Sequence, residues 1–216
     1  MNLNHIIDGI SAIASLGTLI LIGIGLGIWK IQLKGENKFK LSLDALRELK
    51  LTLIAIDDYR NPLYLANEIH DAYSKRNNGK ILDDRNDNER KLAQNYAEND
   101  RWNKIIEKYL IFEDIVLRFS ILIDNYEVDL INGKRLKDYL IDIRNNRIKK
   151  EYADIEQKKL DNASTEDRIK YWEKHRDEIS IIDAVLFRYD KDSDIFGKGL
   201  EQYLVEFNKR LRKYIK

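Results

Sequence analysis

Gly9 to Trp29 is an uninterrupted run without a single charged side chain, bounded by Asp8 and Lys30. A helix rises about 1.5 Å per residue and a bilayer's hydrocarbon core is about 30 Å thick, so a run of about 20 residues suffices to cross it. No other feature constrains the fold as much, because a helix that is apolar all round has no face to show water. The stretch is a poor secretory leader, since Met1 to Asp8 carries no Lys or Arg and such leaders open on positive charge. Lys30, Lys34, Lys38 and Lys40 crowd the C-terminal flank, whereas the N-terminal flank offers only the α-amino group, His5 and Asp8. The positive-inside rule then predicts an outside N-terminus and a cytosolic remainder, with Trp29, Lys30 and Lys34 as the interfacial anchor. Gly23 and Gly27 are spaced as small-xxx-small pairs are when two membrane helices pack, as are Ser11 and Ser15. Ordinary glycine enrichment of membrane segments would give the same pattern. The chain therefore divides into an N-terminal segment and anchor over residues 1–30 and a cytosolic domain over 31–216.

The composition of that domain narrows the possibilities. Thirty-eight basic side chains nearly cancel 37 acidic ones, leaving a formal charge of +1; nucleic-acid binders carry a basic excess, so no nucleic-acid partner is expected. With no cysteine, disulfides, thiolate metal sites and cysteine nucleophiles are excluded. One proline and ten glycines in 216 residues favour long helices over a sandwich of short strands.

Apolar spacing places the helices. Phe39, Leu46, Leu49, Leu53 and Ile56, broadened by Leu43 and Ile54, mark a seam from Glu36 to Asp58, which Asn61-Pro62 ends because the residue before proline avoids the α region. A shorter helix is expected from Leu63 to Lys75, then a polar loop over Arg76 to Asn88. The clearest stripe is Trp102, Ile105, Tyr109, Phe112, Val116, Phe119 and Ile123, within a helix from Glu89 to Asn125. Leu136, Leu140, Ile143, Tyr152 and Ile155 are expected inward on the next helix, Lys134 to about Leu160. Ser164 and Asp167 resemble a capping box opening a helix that buries Ile169, Trp172, Ile179, Ile182 and Leu186. A last helix from Asp194 buries Leu200, Tyr203, Leu204, Phe207 and Leu211. The fold class is all-α: one transmembrane helix followed by a cytosolic bundle of about five or six helices.

Three short motifs carry a resemblance. Trp29-Lys30-x-Gln32-Leu33-Lys34-Gly35 follows the apolar run, Arg60-Asn61-Pro62 ends the first seam, and Asp192-x-Asp194-x-Phe196 precedes the terminal amphipathic helix. The chain resembles an uncharacterised family of small bacterial single-pass membrane proteins with a cytosolic helical domain. The likeness spans the layout of most of the chain but only those motifs in residues. It implies the anchored bundle and no activity.

Candidate chemistry is sparse. Asp190, Asp192, Asp194 and Glu201 fall at positions one, three, five and twelve of an EF-hand-type loop, but Ile195 stands where the turn needs glycine and Gly197 where an apolar residue packs. The expectation is a structural role, with Asp194 capping the last helix and the acids facing its N-terminal dipole. His70-Asp71 with His175 would make a metal-dependent phosphohydrolase only if the three lie within about 5 Å of one another. No phosphate-cradling glycine loop or G-x-S-x-G nucleophile motif occurs. Lys209, Arg210, Arg212, Lys213 and Lys216 form a basic terminus suited either to anionic lipid or to the negative end of a helix dipole. The expected function is non-enzymatic: a membrane-anchored helical interaction or scaffold module in a bacterial inner (plasma) membrane, self-associating or part of a complex, with no cofactor or metal. A stress or phage-defence membrane effector and the phosphohydrolase are the alternatives.

Overall fold

The computed structural model describes residues 3–123, 134–160, 163–188 and 194–215, with side chains from Leu21 onward, Lys134 excepted. Six helices make up the described residues, which contain no strand: α1 Leu3–Arg60, α2 Ala66–Arg76, α3 Asp87–Leu122, α4 Lys134–Lys159, α5 Thr165–Leu186 and α6 Ile195–Ile215. The helical bundle expected from apolar spacing is what forms.

The sequence reading separates the anchor from a helix starting at Glu36, whereas α1 runs through both as one element of 58 residues, about 87 Å at the usual rise. The intervening stretch holds no proline, and Gly35 alone is too weak a breaker to end a helix flanked on both sides. The far end stops where expected. Asn61 precedes Pro62, and its side-chain oxygen accepts the Leu63 N–H at 3.0 Å, turning the chain after Arg60. The next helix begins at Ala66, three residues later than expected, and leaves Leu63 and Leu65 exposed. Asn78 (φ 53°) and Gly79 (φ 83°) supply the left-handed turn after α2. Asn86 caps α3 by accepting the N–H groups of Asn88 and Glu89 at 3.1 and 3.3 Å.

Ring pairs fix how the helices run. Tyr59 meets Trp102 at 5.6 Å between centroids, Phe112 meets Phe207 at 5.5 Å and Phe119 meets Tyr214 at 5.0 Å. The middle of α3 at Trp102 therefore lies beside the end of α1, while Tyr214 links Phe119, near the end of α3, to Lys38, earlier on α1; α1 and α3 are antiparallel, and α3 and α6 run side by side in the same direction. The stripe read from the sequence is the core: Ile105, Phe112 and Phe119 are fully enclosed, with Tyr109, Val116 and Ile123 nearly so. Leu49 and Ile56 from α1, Leu136 and Ile143 from α4, Ile182 and Leu186 from α5, and Leu200, Phe207 and Leu211 from α6 complete it. Tyr73, Leu82 and Ala93 form a satellite cluster that seats α2 on α3.

Several residues expected inward are exposed. Phe39, Leu43 and Ile54 face out because α1 packs against α3 and α6 on one side only. Tyr152, Ile155, Ile169 and Trp172 are exposed because the core ends at Ile143 on α4 and Ile182 on α5, leaving the rest of that pair covered by each other alone. At the other extreme every residue from Leu21 to Asn37 is exposed, so this half of α1 stands clear of the bundle. Among the described residues no helix is long and apolar enough to cross a membrane; the side chains of 9–20, the first part of the uncharged run, lie outside them.

Phe112, wholly buried against Phe207, offers the plainest check on the core. Phe112→Ala is expected to cost about 3–5 kcal/mol, read as a lowered urea midpoint at unchanged slope, whereas a midpoint at the wild-type value would place that stripe outside the core.

Candidate functional site

Arg60, the last residue of α1, is a densely bonded polar group whose side chain is 1% exposed. Its Nε donates to the Val185 carbonyl at 2.8 Å and its Nη2 to the Ala184 carbonyl at 2.9 Å, so it satisfies carbonyls left open at the end of α5. The same guanidinium grips Asp194 with two parallel bonds, Nη1 to Oδ2 at 2.8 Å and Nη2 to Oδ1 at 2.7 Å. It also lies over the Phe196 ring at 4.8 Å. Asp194 in turn accepts the Gly197 N–H at 2.8 Å, which is the N-cap of α6 expected from the sequence. Gly197 is there for space: a Cβ would fall 2.1 Å from Asp194 Oδ2. The residues quoted as two separate motifs, Arg60 and Asp194 with Phe196, are thus one junction of three helix ends. Burial pushes the Asp194 carboxyl up, but the Arg60 and Gly197 hydrogen bonds and the Arg60 and Arg188 charges outweigh it and hold it below its ordinary value.

A second arginine secures the turn that follows. Arg101 on α3 donates to the carbonyls of Asp58, Asn61 and Leu63 at 2.8, 2.9 and 2.9 Å, pairs with Glu68, and stacks over Tyr64 at 4.1 Å. Burial and the Glu98 charge raise the Tyr64 phenol to about 12.

Beside this turn α3 and α4 part to leave an open cleft of about 500 Å³, lined by Tyr59, Glu98, Trp102, Arg144, Arg147 and Glu151 among others. Tyr59 Oη donates to Glu98 Oε1 at 3.0 Å, and Arg147 pairs with the other oxygen of the same carboxylate. Burial raises the Glu98 carboxyl above its ordinary value despite the Arg147 charge and the Tyr59 bond, and burial with the neighbouring Glu98 pushes the Tyr59 phenol up as well. With one partner on each oxygen, Glu98 bridges α1, α3 and α4. Sequence reasoning missed Arg60, Arg101 and this bridge. The only signals were an arginine before an Asn-Pro break and an acid at a helix start.

The sequence-predicted residues fall apart in space. His70 pairs with Asp84 at 3.3 Å, whereas His175 lies against Tyr171 and pairs with Glu178 at 3.6 Å. Among the described residues no group of three His, Asp or Glu side chains is placed to hold a metal. Asp190 and Asp192 lie outside the described residues, and Glu201 is exposed on α6. A Cβ on Gly23, Gly25 or Gly27 would meet nothing within 4 Å, so the chain itself does not distinguish these three positions. Trp29, Lys30 and Lys34 are exposed on the free half of α1. Comparison with known protein families, curated proteins and solved structures gives no match.

Replacing Arg60 by Met strands a buried carboxylate and the end of α5, and is expected to cost about 3–5 kcal/mol. The junction also sets a pH dependence. Because the folded Asp194 carboxyl is held low, its contribution is complete above the ordinary carboxylate pKa and fades as the pH falls through the lower, folded value. Thermal melts taken from neutral into acid should therefore fall more gently for Asp194→Asn than for the wild type. Identical acid limbs would mean the pair carries no linkage.

Proposed function

We propose that the chain is a membrane-anchored helical scaffold, non-enzymatic, whose α1 crosses a bacterial inner membrane with its N-terminus outside and whose bundle is a cytosolic module for self-association or for a complex partner. The observation that carries this reading is the free half of α1. Leu21, Ile24, Leu26, Ile28 and Trp29 point to all sides of a helix that touches nothing, at 52–71% exposure. Burying one such side chain is worth about 1.5–3 kcal/mol, so a bare apolar rod in water is strongly disfavoured, while hydrocarbon accepts it without cost. The lysines begin where this rod would leave the lipid, at Lys30, and recur at Lys34, Lys38 and Lys40. The non-enzymatic side is supported by His70 and His175 each lying against its own carboxylate, Asp84 and Glu178.

Two measurements test it. A phosphatase that works only in the periplasm, fused after Lys216, should be inactive in cells whose membranes retain the chain through alkaline carbonate; an active fusion would reverse the topology. Self-association through the anchor predicts that Gly23→Ile and Gly27→Ile lower crosslinked oligomer in membranes more than Gly25→Ile does, because residues four apart share a face. Equal yields from all three would assign the glycines to ordinary membrane composition.

A further inference from the structure

The packing of α6 brings together two basic segments that lie far apart in sequence. Its start is tied to the end of α1 by Arg60 and Asp194, 134 residues apart. Its other end meets α1 well down the rod: Lys38 Nζ sits over the Tyr214 ring at 5.6 Å, and Lys213 Nζ lies 5.0 Å from the same ring. Phe119 closes on Tyr214 from α3, edge-on at 5.0 Å. The basic terminus of α6 is therefore carried back to the level at which α1 leaves the bundle.

We infer that this end of the bundle is a binding surface for anionic phospholipid headgroups, formed by Lys30, Lys34, Lys38 and Lys40 on α1 with Lys209, Arg210, Arg212 and Lys213 on α6. The inference rests on the anchored reading of α1 and deepens it by naming the lipid class. Charge supports it. From Lys30 to Leu43 the one acid is Glu36, and from Lys209 to Ile215 there is none, whereas the whole chain balances to +1. Continuity supports it too, because the surface begins one residue after Trp29, where the apolar rod ends. Favourable placement at the α6 dipole alone would account for Lys209 to Lys213 but not for their meeting with Lys38. Polybasic segments within a Debye length of an anionic leaflet gain attraction from each cation. The tyrosine between Lys38 and Lys213 holds the two strands of charge side by side.

The test uses the full chain with vesicles of phosphatidylcholine alone and of phosphatidylcholine mixed with phosphatidylglycerol. Amide hydrogen exchange over residues 34–43 and 209–215 should be slower in the mixed vesicles, and the difference should vanish in high salt, which needs no mutation. In K209Q/R210Q/R212Q/K213Q the added protection should be lost, and partitioning to the mixed vesicles should drop by roughly six hundred-fold, each of the four neutralised cations contributing about five-fold. Carbonate-resistant flotation, scored separately, reads the anchor. A chain stripped by carbonate that still floats before stripping with the mixed vesicles only, and loses this in salt, would keep the lipid surface and discard the anchor. Equal exchange in the two lipids, with the chain integrated in both, would overturn the surface and leave the anchor standing.

Discussion

The architecture depends on one guanidinium. Arg60 is enclosed at a point where three helices end or begin, and a buried cation is tolerated only if its charge and its donors are all matched. Asp194 matches the charge with two hydrogen bonds, and the Val185 and Ala184 carbonyls accept from Nε and Nη2. These partners come from segments more than 120 residues further along the chain, so the pairing sets the register of α5 and α6 on α1 as well as stabilising it. An apolar junction of the same volume would have no such directionality.

Much of the remaining geometry follows from that register. With the start of α6 held at the end of α1, the helix has room to run only back along α1 and α3. There Phe207 meets Phe112 and Tyr214 meets Phe119. Arg101 and the Tyr59–Glu98–Arg147 bridge reinforce the same corner from α3 and α4. Many of the described polar interactions between helices thus gather at the end of the bundle remote from the free rod, although Arg135 on α4 also pairs with Glu206 further along α6, and Tyr214 packs on Phe119 nearer the rod.

The parts legible in the sequence were those set by local periodicity. The stripe from Ile105 to Ile123 could be read because each residue recurs after three or four positions and the whole face is covered by neighbours. Asp194 could be read as a cap because a cap is a local event. Periodicity failed where covering was incomplete: Phe39, Leu43 and Ile54 repeat as a core seam does, yet α1 has neighbours on only one side, and Tyr152 and Trp172 belong to a helix pair that outruns the core. The continuity of α1 was missed because charges after Trp29 look like an ending, although nothing there breaks a helix. Arg60 was unreadable as a hub, since its partners are chosen by tertiary packing and no spacing rule links positions 60, 184 and 194.

The central claim is that α1 is a single rod, surrounded by hydrocarbon up to about Trp29 and by water and headgroups beyond it. The most direct measurement is a nitroxide scan of single cysteines at 21–37 in the reconstituted chain, comparing collisions with oxygen, which concentrates in lipid, and with a water-soluble nickel chelate. The account predicts oxygen-dominated relaxation on every face from Leu21 to Ile28, a crossover near Trp29 and Lys30, and chelate-dominated relaxation from Lys34 onward. Chelate access at Leu21, Ile24 and Ile28 equal to that at Asn37 would contradict it.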